Sequence, residues 1–415
     1  MKKKNLIIIL ITCLLIITLL VILVFIPLYK NYKVEEAKRL EEERIKNATI
    51  IVKISEDLKV PLFTKIKVSD YITEINGKII DDYYINTNNI GTKKIEFEYI
   101  NDEDIKISYS YEIEVIDNTA PTIWLNSTYT INNTFDGNLL EKIMCADDYD
   151  DTPDCKIIGE YKTNEVGKYQ LTFEATDDSG NITTKDFTLI VKEPIKNNNS
   201  SSNPPIRTDF NDIVKNYKTD NTKIGIDVSG WQGEIDYEKV KNAGVEFVFI
   251  KVGGTKGIDL DYYIDSKFIR NIEGFNKVGI PVGIYFYSYG NDKEDSIRDA
   301  KWVLEQIKPY NVELEIAYDW ENWSFYNRFQ NSFYTLTENA NIFLDEINKA
   351  GYNGLLYGSK NYLEKVWLET KHDVWLAHYN SKTTYQGKYK YWQICDNGKV
   401  DGINANVDIN IMYTN

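Results

Sequence analysis

The chain has 415 residues, 27% of them charged, and a formal net charge of −15. That length leaves room for several domains, each able to bury a core of its own. The acidic balance argues against nucleic acid as a partner and against adhesion to a polyanionic surface by charge alone.

The N-terminus "MKKKN" precedes an apolar run from Leu6 to Ile26, interrupted only mildly by Thr12, Cys13 and Thr18. At ~1.5 Å per residue such a helix spans about 30 Å, the thickness of a bilayer's hydrocarbon core. No small-x-small cleavage site follows, and the lysines favour a cytoplasmic N-terminus. The pattern predicts a signal anchor crossing the lipid bilayer through residues 6–26, within a first segment 1–29. It also predicts a single-pass protein of the cell membrane with its later domains outside the cell. Residues 30–48, with "VEEAKRLEEERIKNA", have no apolar stripe and predict a charged, solvated helical stalk.

From Ile50 the texture changes to short alternating runs such as "KIEFEYI" and "YSYEIEVI", which are strand signals. "TNNIGTKKIEFEY" at 87–99 recurs as "TNEVGKYQLTFEA" at 163–175, pairing Gly91 with Gly167, Phe97 with Phe173 and Val115 with Val191 at a constant offset. Two tandem β-sandwich modules are expected, 49–118 and 119–193. "VIDNTAPTI" and "ATDDSGN" resemble bacterial immunoglobulin-like repeats, which implies spacing or adhesion rather than catalysis. Cys145 and Cys155 flank "ADDYDDTPD"; a disulfide between them would close a short loop and contribute roughly 2–3 kcal/mol. The metal alternative lacks a CxxC or histidine partner, and the acidic turns read as solvated, so no metal is expected. Cys395 reads as a buried free thiol. "KEPIKNNNSSSNPPIRTD" opens a linker over 194–222 by composition.

Residues 223–415 read as apolar strands near 224–227, 245–252, 280–287, 314–320, 353–357, 373–379, 390–394 and 406–409, with amphipathic helices between the first six. That alternation predicts a parallel sheet closed into an irregular β/α barrel of the TIM type, with little room for helices between the last strands. Such barrels carry their chemistry at the C-terminal ends of the strands. Asp227 ends "KIGID", Asp319 and Glu321 end "LEIAYDWE", and Asp408 ends "NANVD". Side chains alternate along a strand, so Asp319 and Glu321 share a face while Tyr318 and Trp320 share the other. Trp320 is therefore expected to pack. Two close carboxylates repel, and partial burial raises the pKa of one, supplying the proton donor and the anion that glycosidic cleavage needs without a cofactor. With only His372 and His378 and no HExxH, a zinc hydrolase is a poor fit, and neither a G-x-S-x-G elbow nor a Walker loop is present.

"IGIDVSGWQGEIDYEKVKNAGVEFVFIKV", "GIPVGIYFYS", "YDWEN", "VWLAHY", "YWQI" and "VDGINANVDIN" resemble, in order, the motifs of the family 25 glycoside hydrolases. The resemblance covers the last ~190 residues. It implies a lysozyme, an N-acetylmuramidase that cuts the β-1,4 bond between N-acetylmuramic acid and N-acetylglucosamine, with peptidoglycan as its partner. Carried over by position, Glu321 is the general acid. Asp319 is the nucleophile or the stabiliser of an oxazolinium formed by the substrate's acetamido group, and Asp227 and Asp408 tune the pair. Many members carry Thr-Glu-Gly or Ser-Glu-Gly after the second strand; this chain has "KVGGTKG" there. Tyr287, Trp323, Tyr379 and Gln393 lie near the expected rim as substrate contacts. A family 18 chitinase also ends a strand in "DWE", but its Asp-x-x-Asp-x-Asp-x-Glu would need acids at Ala317 and Leu314. The rival from another class is a surface adhesin whose barrel binds wall glycan without cutting it.

Overall fold

A computed structural model describes residues 13–15, 18–19, 21–194, 206–257, 261–321 and 330–414. Among these, no helix is long and apolar enough to cross a membrane. The anchor expected over residues 6–26 is thereby overturned, and the bilayer partner and single-pass location go with it. Residues 6–12, 16–17 and 20 of that stretch lie outside the described residues. The α-helix Ile26–Lys46 carries Pro27 in its first turn, then lysines and glutamates, and buries no residue. A short π-helical turn, Val21–Phe25, precedes it.

The chain divides into two compact units, Met1–Asn118 and Thr119–Asn415. In the first, strands Lys59–Pro61, Lys106–Ile116, Gly91–Asn101 and Gly77–Ile79 form one sheet in that order. Alternate residues of the long hairpin, among them Ile95, Phe97, Tyr99, Ile113 and Val115, fill the core, as period-two patterning requires. The second unit opens with a module of the same plan. Its sheet runs Thr128–Asn132, Ile182–Lys192, Gly167–Thr176, Asp154–Ile158, and it is faced by the pair Thr122–Trp124 and Met144–Ala146. The sequence repeat is a repeat of register: Gly91 pairs with Val115 and Gly167 with Val191. In both modules an edge strand runs parallel to the last hairpin strand.

The rest of the second unit is a closed barrel. Its strands are β1 (Thr222–Val228), β2 (Val248–Lys256), β3 (Val282–Tyr287), β4 (Ile316–Asp319), β5 (Gly354–Ser359), β6 (Asp373–Ala377), β7 (Tyr391–Lys399) and β8 (Val407–Tyr413). β1 to β7 are parallel neighbours, and β8 closes the ring antiparallel to both β7 and β1. Helices α1 (Tyr237–Asn242), α2 (Phe268–Val278), α3 (Lys293–Ile307), α4 (Phe333–Lys349) and α5 (Lys360–Lys365) follow the first five strands. Side chains of Asp236, Asp292, Ser332 and Ser359 cap four of these helices, and Gly279 ends α2 at φ 70°. Outward residues such as Ile250, Ile284 and Tyr318 pack against the helices, while Phe247, Phe249, Trp375 and Tyr391 fill the lumen.

The linker expected over 194–222 ends earlier than composition suggests. Thr208–Asp209 pairs with the end of β7, and the helix Phe210–Tyr217, capped by Asp209, buries Phe210 and Ile213 in the barrel core. Eight residues with two apolar anchors give too short a period to stand out beside "SSNPP".

Candidate active site

Alternation along the strands sets the site. On β4, Ile316 and Tyr318 face outward and Trp320 is buried with them, which turns Ala317 and Asp319 to the lumen. Glu315, on the same parity deeper down, meets the Tyr391 hydroxyl and the Lys390 ammonium. On β1 and β8 the outward residues are Ile226, Val228, Val407 and Ile409, so Asp227 and Asp408 point inward. These two are register partners across the antiparallel β1–β8 pair.

Asp227, Asp319, Glu321 and Asp408 line one cavity of about 350 Å³, together with Tyr287, Tyr379 and Gln393. Trp323 lies outside the described residues. A second groove of about 670 Å³ shares Glu321, Tyr357 and Tyr379 and continues past Asn361 and Tyr362.

A hydrogen-bonded relay fixes Asp227. Its Oδ2 accepts from Gln393 Nε2 at 2.9 Å and from Asn410 Nδ2 at 2.7 Å. Gln393 Oε1 accepts in turn from the hydroxyls of Tyr357 and Tyr379, both at 3.0 Å, and Asn410 Oδ1 accepts from Trp375 Nε1 at 2.8 Å. The amide orientations are thus dictated from both sides.

Burial raises the Asp227 carboxyl above its ordinary range, against the bonds from Asn410 and Gln393. Asp408 is pushed up further by burial and by the Asp227 charge. Asp319 is buried and its pKa stands well above the usual carboxylate range, because of desolvation and then the Glu321 charge, with Lys251 pulling it down. One of its oxygens, Oδ1, has no hydrogen-bond partner among the described residues. Glu321 opens to solvent at the mouth, yet the protein crowded around its carboxyl raises it too, opposed by Lys251 and Tyr357. The Asp319–Glu321 pair therefore titrates as a unit and keeps a proton where isolated carboxyls hold none.

Several cavity residues escaped the sequence reading. Lys251 has the inward parity of Phe247 and Phe249, and its Nζ sits 4.5 Å from the Tyr287 ring centroid. Tyr357 and Trp375 also follow from strand parity, as does Asn410, which bonds Asp227 without lining the cavity. Trp231 stands 86% exposed at the cavity edge, in the turn after Ser229. Nothing but its position beside the Asp-x-Ser motif marks it.

The glycines of "KVGGTKG" also have a reason. At Gly253, with φ 152°, a Cβ would lie 2.0 Å from the Tyr263 carbonyl oxygen, where the strand Asp261–Ile264 folds back on β2. At Gly254 it would lie 2.4 Å from the Tyr287 carbonyl oxygen.

Residues 226–403 match the model of the glycosyl hydrolases family 25. The family 25 match falls on the barrel. The matched stretch holds Asp227, Asp319 and Glu321; Asp408 lies beyond it and joins them through the β1–β8 register. The chain is 28% identical over 188 residues to the autolytic lysozyme of Clostridium acetobutylicum, covering 45% of this chain and 54% of that protein. It is 27% identical over 212 residues to lysozyme M1 of Streptomyces globisporus, covering 45% and 66%. The chain thus spans about half the length of the first of these relatives. Among solved structures, the modular autolysin LytC of Streptococcus pneumoniae in complex with a synthetic peptidoglycan ligand aligns at 26% identity and a TM-score of 0.43, covering 58% of this chain and 56% of that one. The family 25 assignment makes the domain that of a glycoside hydrolase.

Proposed function

We propose that the chain hydrolyses peptidoglycan at the β-1,4 bond between N-acetylmuramic acid and N-acetylglucosamine, in wall remodelling or lysis. One observation carries the reading: the Asp319–Glu321 pair opens into the same cavity as Asp227 and Asp408, inside a family 25 barrel. Glu321, at the mouth, delivers the pair's proton to the glycosidic oxygen. Asp319, left ionised, attacks the anomeric carbon or stabilises an oxazolinium formed by the neighbouring acetamido group. Its Oδ1, without a hydrogen-bond partner among the described residues, suits an N–H donor from that group. Asp227 and Asp408 hold the electrostatics of the inner wall, Lys251 favours the ionised state of the pair, and Tyr287, Tyr379, Gln393 and Trp231 line the path of the sugar. The two sandwiches, read as immunoglobulin-like modules, take no part in bond cleavage.

The test is incubation of the purified chain with Gram-positive cell walls. Falling turbidity with release of reducing sugar supports hydrolysis. Retention on walls with no reducing sugar released supports the adhesin instead.

A further inference from the structure

A helix leaves its first backbone N–H groups without intrahelical partners, and they must be satisfied from outside. α4, the helix that returns from the Asp319 strand, meets this requirement in an unusual way. Thr335 N donates to the capping Ser332 Oγ at 3.1 Å. The other three donors go to the preceding sandwich: Ser332 N to Asp151 Oδ1 at 2.6 Å, Phe333 N to the Asp147 carbonyl at 2.9 Å, and Tyr334 N to the Asp148 carbonyl at 3.0 Å. The acceptors sit on the loop between Cys145 and Cys155, which are joined as a disulfide with Cα atoms 6.6 Å apart. Within that loop, Asp147 Oδ2 accepts from the backbones of Tyr149 and Asp150, at 2.9 and 2.8 Å, and holds its shape.

Apolar packing runs alongside. On the strand Met144–Ala146, Cys145 faces the sandwich core while Met144 and Ala146 are buried in the core of the barrel. Trp124 of the sandwich lies 6.0 Å from the Tyr362 ring, a residue of the groove beside Glu321, with Lys365 Nζ 5.8 Å from its centroid. Alternate residues of one strand thus serve two cores, an arrangement a freely swinging spacer would not need.

We infer that the sandwich 119–193 is a docked part of the barrel, and that its disulfide-closed loop is the N-terminal cap of α4, with Asp151 as a positioning residue. The path from this cap to the acids is short. Asn331 Nδ2 donates to the Asn291 carbonyl on the rim loop after β3, at 2.9 Å, and on the same loop Ser288 N donates to the Asp319 carbonyl at 2.8 Å. α4 also packs its Phe343 ring 5.1 Å from Tyr318 of β4. The effect of this cap on turnover rests on the peptidoglycan hydrolase reading; the docking itself does not.

Amide hydrogen exchange and hydrolysis kinetics of the full chain, as Asp151→Ala, Asp151→Asn and the Cys145→Ser/Cys155→Ser pair, test it. Loss of a cap should speed exchange at Ser332, Phe333 and Tyr334 about fivefold or more in Asp151→Ala and in the cysteine pair, while Asp151→Asn, which keeps an acceptor oxygen, stays near wild type. On soluble glycan, Asp151→Ala should lower kcat several-fold with KM within about twofold, and Asp151→Asn should restore it. Unchanged exchange at the three amides in Asp151→Ala overturns the docking. Accelerated exchange with wild-type kcat overturns the positioning role. Accelerated exchange in a protein whose wild type cuts no glycan supports the docking and counts against the hydrolase reading instead.

Discussion

Asp227 and Asp408 face each other as register partners on β1 and β8, the one place in the barrel where an antiparallel strand lies beside the first parallel one. Both carboxyls bind their protons more tightly than usual: Asp227 because burial and the Asp319 charge outweigh the hydrogen bonds it accepts, and Asp408 more so, because of burial and the Asp227 charge. Holding them together therefore costs stability at neutral pH. Asp408→Asn should raise Tm at pH 7 by ~3 °C, the response to about 1 kcal/mol in a domain of this size, while kcat/KM falls. Calorimetry and kinetics on the same preparation check both halves.

The same logic sets a pH dependence of stability. Asp299, behind the rim, accepts from Tyr262 at 2.7 Å and Ser288 at 2.8 Å, yet burial raises it to about 6 from an ordinary 3.8. The folded state binds that proton more tightly than the unfolded chain. Its contribution is complete below the ordinary value and is lost as pH rises through about 6. Asp227, Asp319 and Asp408 act in the same direction. Tm should therefore fall between pH 4 and pH 7, as a melting series would show; a Tm that climbs across that window contradicts the assignment.

Trp231 offers the substrate an open ring face at the cavity edge. Trp231→Ala should raise KM about fivefold, the equivalent of ~1 kcal/mol of ring contact, with little change in kcat or Tm. Saturation kinetics on soluble glycan separate these quantities.

Lys251 is the cation that holds both Asp319 and Glu321 below where burial alone would put them. In Lys251→Met both carboxyls keep their protons to higher pH. The alkaline limb of the kcat/KM profile should move upward, and a limb that stays in place or moves down would remove Lys251 from the electrostatics of the pair.

The barrel was legible because its strands and helices alternate with clear periods, and because the acids end strands where parity is unambiguous. Trp320, expected to pack, is buried away from the acids, and Cys395 is a buried free thiol. Other features depend on contacts that no local pattern announces. The "ADDYDDTPD" turn looks solvated in sequence, yet Asp147 is buried and the loop caps a helix far along the chain. The helix Phe210–Tyr217 hides beside a linker composition, and Tyr357, Trp375 and Asn410 gain their roles only once β5, β6 and β8 meet around Asp227. At the N-terminus, hydropathy over a window suggested a span that no described helix provides.

Mass spectrometry of a peptidoglycan digest, made with the wild-type chain and with Glu321→Gln, tests the central claim most directly. Fragments ending in reducing N-acetylmuramic acid are expected from the wild type, with a loss of at least about a hundredfold in Glu321→Gln and an unchanged melting curve. Fragments ending in reducing N-acetylglucosamine, or undiminished cleavage by Glu321→Gln, would contradict it.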